Sequence, residues 1–109
     1  MTMKLVFATL LAATVLLGAA LARAEEPTAE EGRGLAEANC TTCHAIGRDG
    51  ASPLAAAPPF RDVARRYSLE ELMDAFMEGL PVRHEVMPDW DMTEDQSIAI
   101  SLYIMSLAK

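Results

Sequence analysis

Cys40-Thr41-Thr42-Cys43-His44 is the stretch on which this chain turns: two thiols three residues apart, with an imidazole directly after the second. On a turn of helix, residues three apart share a face, so both sulfurs can reach one edge of a flat ligand. Thioether attachment of a haem through its two vinyl groups, with His44 carried under the ring to ligate iron, accounts for all three residues together. A structural zinc site takes four ligands, and the only other Cys or His is His84. A thiol–disulfide redox pair expects a neighbouring βαβ pattern, which the flanking sequence lacks.

Upstream, Lys4 begins a positive start, Leu5 to Leu21 is an uncharged apolar run, and Ala22-Arg23-Ala24 is a small-x-small cleavage site. Residues 1–24 are thus expected to be an export signal. At 17 residues the apolar run lies at the lower limit for spanning a bilayer, so an uncleaved membrane anchor is the alternative. Cleavage removes Lys4 and Arg23 but no acid, which leaves seven basic against sixteen acidic residues, a net charge of −9 over residues 25–109. That balance argues against nucleic acid or an anionic membrane as partner and favours a partner with a basic docking patch, although solubility alone also selects acidity. An exported protein can hold a disulfide, yet a bridge across so short a loop removes little chain entropy. So short a mature chain makes one domain with a marginal side-chain core, and a haem supplies the missing apolar mass.

Strand signals are absent, and the chain reads as all-α. Thr28-Ala29-Glu30-Glu31, Ser68-Leu69-Glu70-Glu71 and Thr93-Glu94-Asp95-Gln96 each have capping-box spacing and open helices. The first runs to about Ala38 and delivers the haem motif; its Gly32 and Gly34 imply a closely packed second backbone. Gly47, Gly50, Pro53, Pro58 and Pro59 mark residues 45–59 as a loop, followed by a short helix from about Phe60 to Arg66. Leu69, Leu72, Met73 and Phe76 form an apolar stripe that Gly79 ends. In the last helix Ile100, Tyr103, Ile104 and Leu107 form the inward face, widened by Ile98, Leu102 and Met105, and Tyr103 is expected to meet the glycines of the first helix.

The second axial position decides between carrying electrons and binding a small molecule. Met73, Met77 and Met105 lie on helical faces, where filling core is the commoner role for Met. Met87 sits in the polar loop Glu85-Val86-Met87-Pro88-Asp89, with Pro88 restricting its backbone, and is the preferred ligand. Met92 and His84 remain alternatives. Trp90 is expected either to cover the haem edge or to hydrogen-bond a propionate, with plain packing as the equal alternative. Arg48, Arg61, Arg65, Arg66 and Arg83 are candidates for neutralising propionates or forming a local basic strip, against the default of solvation.

The chain resembles the small single-domain class I c-type cytochromes of bacteria over residues 28–109. The resemblance is carried by Cys40-Thr41-Thr42-Cys43-His44-Ala45-Ile46, Ala57-Pro58-Pro59-Phe60-Arg61-Asp62-Val63-Ala64, Met87-Pro88 and Tyr103-Ile104-Met105-Ser106-Leu107. It implies a cytochrome c fold of about four helices around one covalent haem c, with crossing N- and C-terminal helices that meet through a glycine and an aromatic. Gly34 with Tyr103 is the expected pair, with Gly32 as the alternative glycine. It further implies that the Met-Pro loop supplies the sixth ligand, and that the Pro58 carbonyl accepts a hydrogen bond from the His44 ring. Leu35 and Ala36 stand where many relatives place an aromatic, which implies a less tightly packed crossing.

The expected function is a periplasmic one-electron carrier, not an enzyme: a monomer, soluble once its signal is removed, with a redox protein as donor and another as acceptor. One alternative is an electron-transfer subunit fixed to a dehydrogenase or oxidase. Another is a haem enzyme or gas sensor with a labile sixth ligand. Intact-mass measurement on exported protein is expected to show a chain beginning at Glu25; retention of the first 24 residues would establish the anchor instead.

Overall fold

Three of the four helices among the described residues begin where a hydroxyl and the residue three further on cap each other. The computed structural model describes residues 24–79, 87–88 and 90–109, so the expected signal up to residue 23, together with Arg83 and His84, lies outside the described residues. In α1 (Ala29–Asn39) the Thr28 hydroxyl accepts from the Glu31 amide at 3.2 Å while the Glu31 carboxylate accepts from the Thr28 amide at 2.8 Å. The same reciprocal pair joins Ser68 and Glu71 at the start of α3 (Leu69–Glu78), and Thr93 and Gln96 at the start of α4 (Glu94–Ser106). Each pair satisfies amides that no helical carbonyl can reach.

The short helix α2 (Phe60–Arg66) has no side-chain cap; Pro59 precedes it, and the Pro59 carbonyl accepts from Asp62 and Val63. Tyr67 leaves helical geometry at φ −125° and ψ 148°, which frees Ser68 to start α3. Gly79 closes α3 at φ 100°, a backbone conformation that side-chain-bearing residues rarely adopt. Among the described residues there are no strands, and the helices sit where the capping and stripe patterns place them, with α1 ending at Asn39.

The last helix is the centre of the fold: α1, α3 and α2 all pack on it, α1 most extensively. Ile100 and Ile104 are fully enclosed and Leu107 is buried, as the sequence pattern implies, but Ser97, Ala99 and Ser101 are buried as well. Apolar periodicity misses these three because they are small or hydroxylated, and a helix packed on several sides has no single inward face. Ser97 donates to the Met73 carbonyl at 2.9 Å, tying α4 to α3.

The crossing of α1 and α4 corrects the expected pair. A Cβ built on Gly32 would collide with the Ala99 carbonyl and lie 2.9 Å from the Ile100 Cα, whereas one on Gly34 would meet nothing within 4 Å. The two backbones therefore touch at Gly32 over Ala99–Ile100, and Ala36, one helical turn on, is fully buried. Small residues on both helices make the crossing close rather than loose. Tyr103 instead donates from its hydroxyl to the Ile46 carbonyl at 2.6 Å.

Gly32→Ala must push backbone against backbone and is expected to destabilise the holoprotein by roughly 1–3 kcal/mol, the usual range for overpacking. Gly34→Ala is expected to be neutral or stabilising by up to ~1 kcal/mol, through helix propensity alone. Denaturant unfolding followed by circular dichroism compares the two; equal effects would mean that the crossing does not depend on Gly32.

Candidate functional site

The site starts where α1 stops. Cys40 is the C-cap of α1, its amide donating to the Ala36 carbonyl, and its own carbonyl accepts from the Cys43 amide at 3.3 Å and the His44 amide at 2.9 Å. The motif is thus a turn wound onto the end of a helix. Cys40 lines a large cavity; Cys43 is half-buried beside it. Burial, and then the neighbouring Cys43, push the Cys40 thiol up to about 11, so at neutral pH it is a neutral thiol. A thioether, which carries no charge, suits these surroundings better than the thiolate that zinc binding requires. No group of three or more His, Cys, Asp or Glu side chains able to hold a metal ion occurs among the described residues.

His44 is held on two sides. Its Nδ1 lies 2.7 Å from the Pro58 carbonyl, the bond that the resemblance implies, and its ring packs tilted against Phe60 with centroids 5.3 Å apart. A carbonyl can only accept, so Nδ1 is the donor, which leaves Nε2 as the nitrogen available to a metal when the ring is neutral. His44 lines the same cavity. The loop that brings Pro58 into place is fixed by its own bonds: Ala45 N donates to the Ser52 hydroxyl at 3.0 Å, Leu54 N to the Cys43 carbonyl at 3.1 Å, and Phe60 N to the Ala45 carbonyl at 2.9 Å. Tyr103 and Arg48 tether it to α4, Arg48 donating to the carbonyls of Ser106 at 3.2 Å and Lys109 at 2.9 Å.

The cavity encloses about 740 Å³, within the roughly 300–1,000 Å³ typical of ligand pockets. Val63, Tyr67, Leu72, Phe76 and Ile104 give it apolar walls, and Met87, Trp90 and Met92 face it from the segment before α4. Met87 is half-buried, Pro88 is exposed, and Trp90 is 38% exposed while still lining the cavity. Met92 also packs against the buried core. The structure thus brings Cys40, His44, Pro58, Met87 and Trp90 to one cavity; Cys43 adjoins it through the turn. A flat apolar macrocycle fits these walls, and a neutral thiol and an imidazole with a free Nε2 fit its attachment and ligation.

Two features of the wall escape a sequence reading. One is the acidic content contributed by Asp62 of α2 and by Glu71, Asp74 and Glu78 of α3. Their spacing in α3 is visible in the sequence, but only the packing shows that this face borders the cavity. The other is the separation of the arginines: Arg66 lines the cavity, Arg48 binds the carbonyls at the end of α4, and Arg65 pairs with Asp62 at 3.3 Å.

The family model described as "Cytochrome c" matches residues 29–108, a span that includes the four described helices and every wall of the cavity. No curated protein and no solved structure matches the chain.

Proposed function

The chain belongs to the cytochrome c family, and on that footing we propose that it is a periplasmic one-electron carrier with His44 and Met87 as the axial ligands of a single haem c. The family carries the coarser part of that statement: covalently bound haem c, for which Cys40 and Cys43 fit the attachment, and electron transfer. The haem supplies a one-electron couple at its iron.

One observation supports the ligand assignment above the others. His44, oriented through Nδ1 by Pro58 and so left with a free Nε2, shares a cavity with the Met87 thioether. Phe60 and Pro58 keep the imidazole from rotating, which favours a constant ligand field. A thioether in the sixth position favours the ferrous state and raises the potential. Bound to the iron, Met87 would close it to outside ligands and raise its potential, and Trp90 would shield the edge of the cavity.

The remaining parts of the reading come from sequence and charge. Residues 1–24 direct export to the periplasm, and the segment that remains is an acidic monomer that meets donor and acceptor proteins through basic patches on their surfaces. Among the described residues, no helix is long and apolar enough to cross a membrane.

The ferric holoprotein is expected to show the weak long-wavelength absorption of sulfur-ligated iron, and the ferrous form to ignore carbon monoxide at neutral pH. Met87→Ala is expected to abolish that band, lower the midpoint potential and admit carbon monoxide. An unchanged spectrum and potential in the variant would remove Met87 from the role, and carbon monoxide binding by the untreated protein would favour a ligand-binding function.

A further inference from the structure

The carbonyls that end α4 are met from far away in the chain. A helix leaves its last carbonyls without helical partners, and α4 carries no basic residue in its last turn to meet them. Arg48, in the loop just after the haem motif, supplies the cation instead: its guanidinium donates to the Ser106 carbonyl at 3.2 Å and to the Lys109 carbonyl at 2.9 Å. One turn back, the Tyr103 hydroxyl donates to the Ile46 carbonyl at 2.6 Å. Residues 46 and 48 are thereby clamped to the closing turn of α4 through two side chains, one reaching in each direction.

Only Ala45 lies between that clamp and His44. Ala45 is itself bonded twice across the loop, its amide donating to Ser52 at 3.0 Å and its carbonyl accepting from Phe60 at 2.9 Å. Phe60 packs its ring on His44, and Pro58, two residues earlier, accepts from the imidazole Nδ1. Both contacts on the imidazole therefore hang from a residue whose neighbour is pinned to α4. Resting on the reading that His44 ligates the haem iron, we infer that Arg48 is a positioning residue: with Tyr103 it fixes residues 45–48 against α4 and so holds Pro58 and Phe60 in register with the ligand ring.

The residue type matches that task. A guanidinium is a planar fork that serves two carbonyls at once, whereas an ammonium is a point charge on a flexible stem. The fork sits at the negative end of the α4 dipole, where a cation is favoured. Arg48 is exposed, so its bonds add little to global stability. Their effect is local: without them the segment 45–60 opens more often while α1 and the middle of α4 stay closed. An imidazole whose Nδ1 bond breaks in those openings no longer keeps one fixed orientation.

Hydrogen exchange and the proton magnetic resonance spectrum of the ferric holoprotein, at low ionic strength, test this on wild type, R48M, R48K, Y103F and R33M. The control is R33M, which removes the same charge from an exposed pair with Glu37 on α1. In R48M the amides of Leu54 and Phe60 and the Nδ1 proton of His44 are expected to exchange about tenfold faster, while amides of α1 and the middle of α4 change far less. The haem methyl resonances, whose shifts follow the orientation of the axial imidazole, should move in R48M and stay in place in R33M. R48K, which keeps the charge and loses the fork, should fall between. Y103F, which removes only a hydroxyl, should act like R48M and takes its place if that variant does not load haem; combining the two should give less than the sum of the single effects. Coincidence of R48M with R33M would overturn the assignment, and so would acceleration spread evenly over all amides, since that reports global stability alone. Faster loop exchange with unmoved haem methyls would overturn the action on the ligand ring. Absence of hyperfine-shifted imidazole signals from His44 in the wild type would instead defeat its ligation, and the amide comparison would still decide whether Arg48 is the clamp.

Discussion

The fold depends on an apolar mass that the polypeptide does not itself contain. Among the described residues the large apolar side chains that are buried are Phe60, Leu72, Ile100, Ile104 and Leu107; the other buried apolar residues are Ala36, Ala57, Ala64 and Ala99. Such a core is small even for a chain of this length. Haem c, placed in a cavity walled by Phe60, Leu72 and Ile104, extends that core with the group that carries the electron. Stability and function therefore share a single component. Thioether attachment through Cys40 and Cys43 makes the sharing permanent, and the neutral state of the Cys40 thiol suits a bond that leaves no charge behind.

Around that cavity the chain is built from a frame and a loop. The frame is α4 with α1, α3 and α2 against it, drawn together where Gly32 brings one backbone onto another. The loop runs from the turn after α1 to Pro58, and its bonds converge on His44: Ser52 holds Ala45, the Cys43 carbonyl holds Leu54, and Pro58 holds the ring. Tyr103 and Arg48 reach from one part to the other, so the end of α4 and the residues just after the haem motif are fixed together. The His44 ring is thus positioned by Pro58 and Phe60, and the loop that carries it is tied to a helix far along the sequence. A loop without those ties would leave the imidazole free to rotate.

Much of the site was legible because its chemistry is compressed into five consecutive residues. The motif led to the cofactor, and Met87 stood out as a thioether in polar surroundings beside a proline. The cavity-facing stripe of α3 was less legible, since Glu71, Asp74 and Glu78 read as an ordinary solvated face until packing shows what they border. The arginines were least legible of all. Nothing in the order of residues separates Arg66 from Arg65, yet one faces the cavity and the other pairs with Asp62.

Local interactions explain what the sequence determined by itself. A capping box needs only four consecutive residues, so the starts of α1, α3 and α4 follow from Thr28, Ser68 and Thr93, and the end of α3 follows from a glycine at φ 100°. Haem attachment is equally local. Tertiary structure alone decided that Gly32 rather than Gly34 lies at the crossing, that Ser97, Ala99 and Ser101 are buried, and that Tyr103 bonds to Ile46. Each of those outcomes depends on the rotation of a helix about its own axis. That rotation is set jointly by every surface packed against the helix, and no short run of residues encodes it.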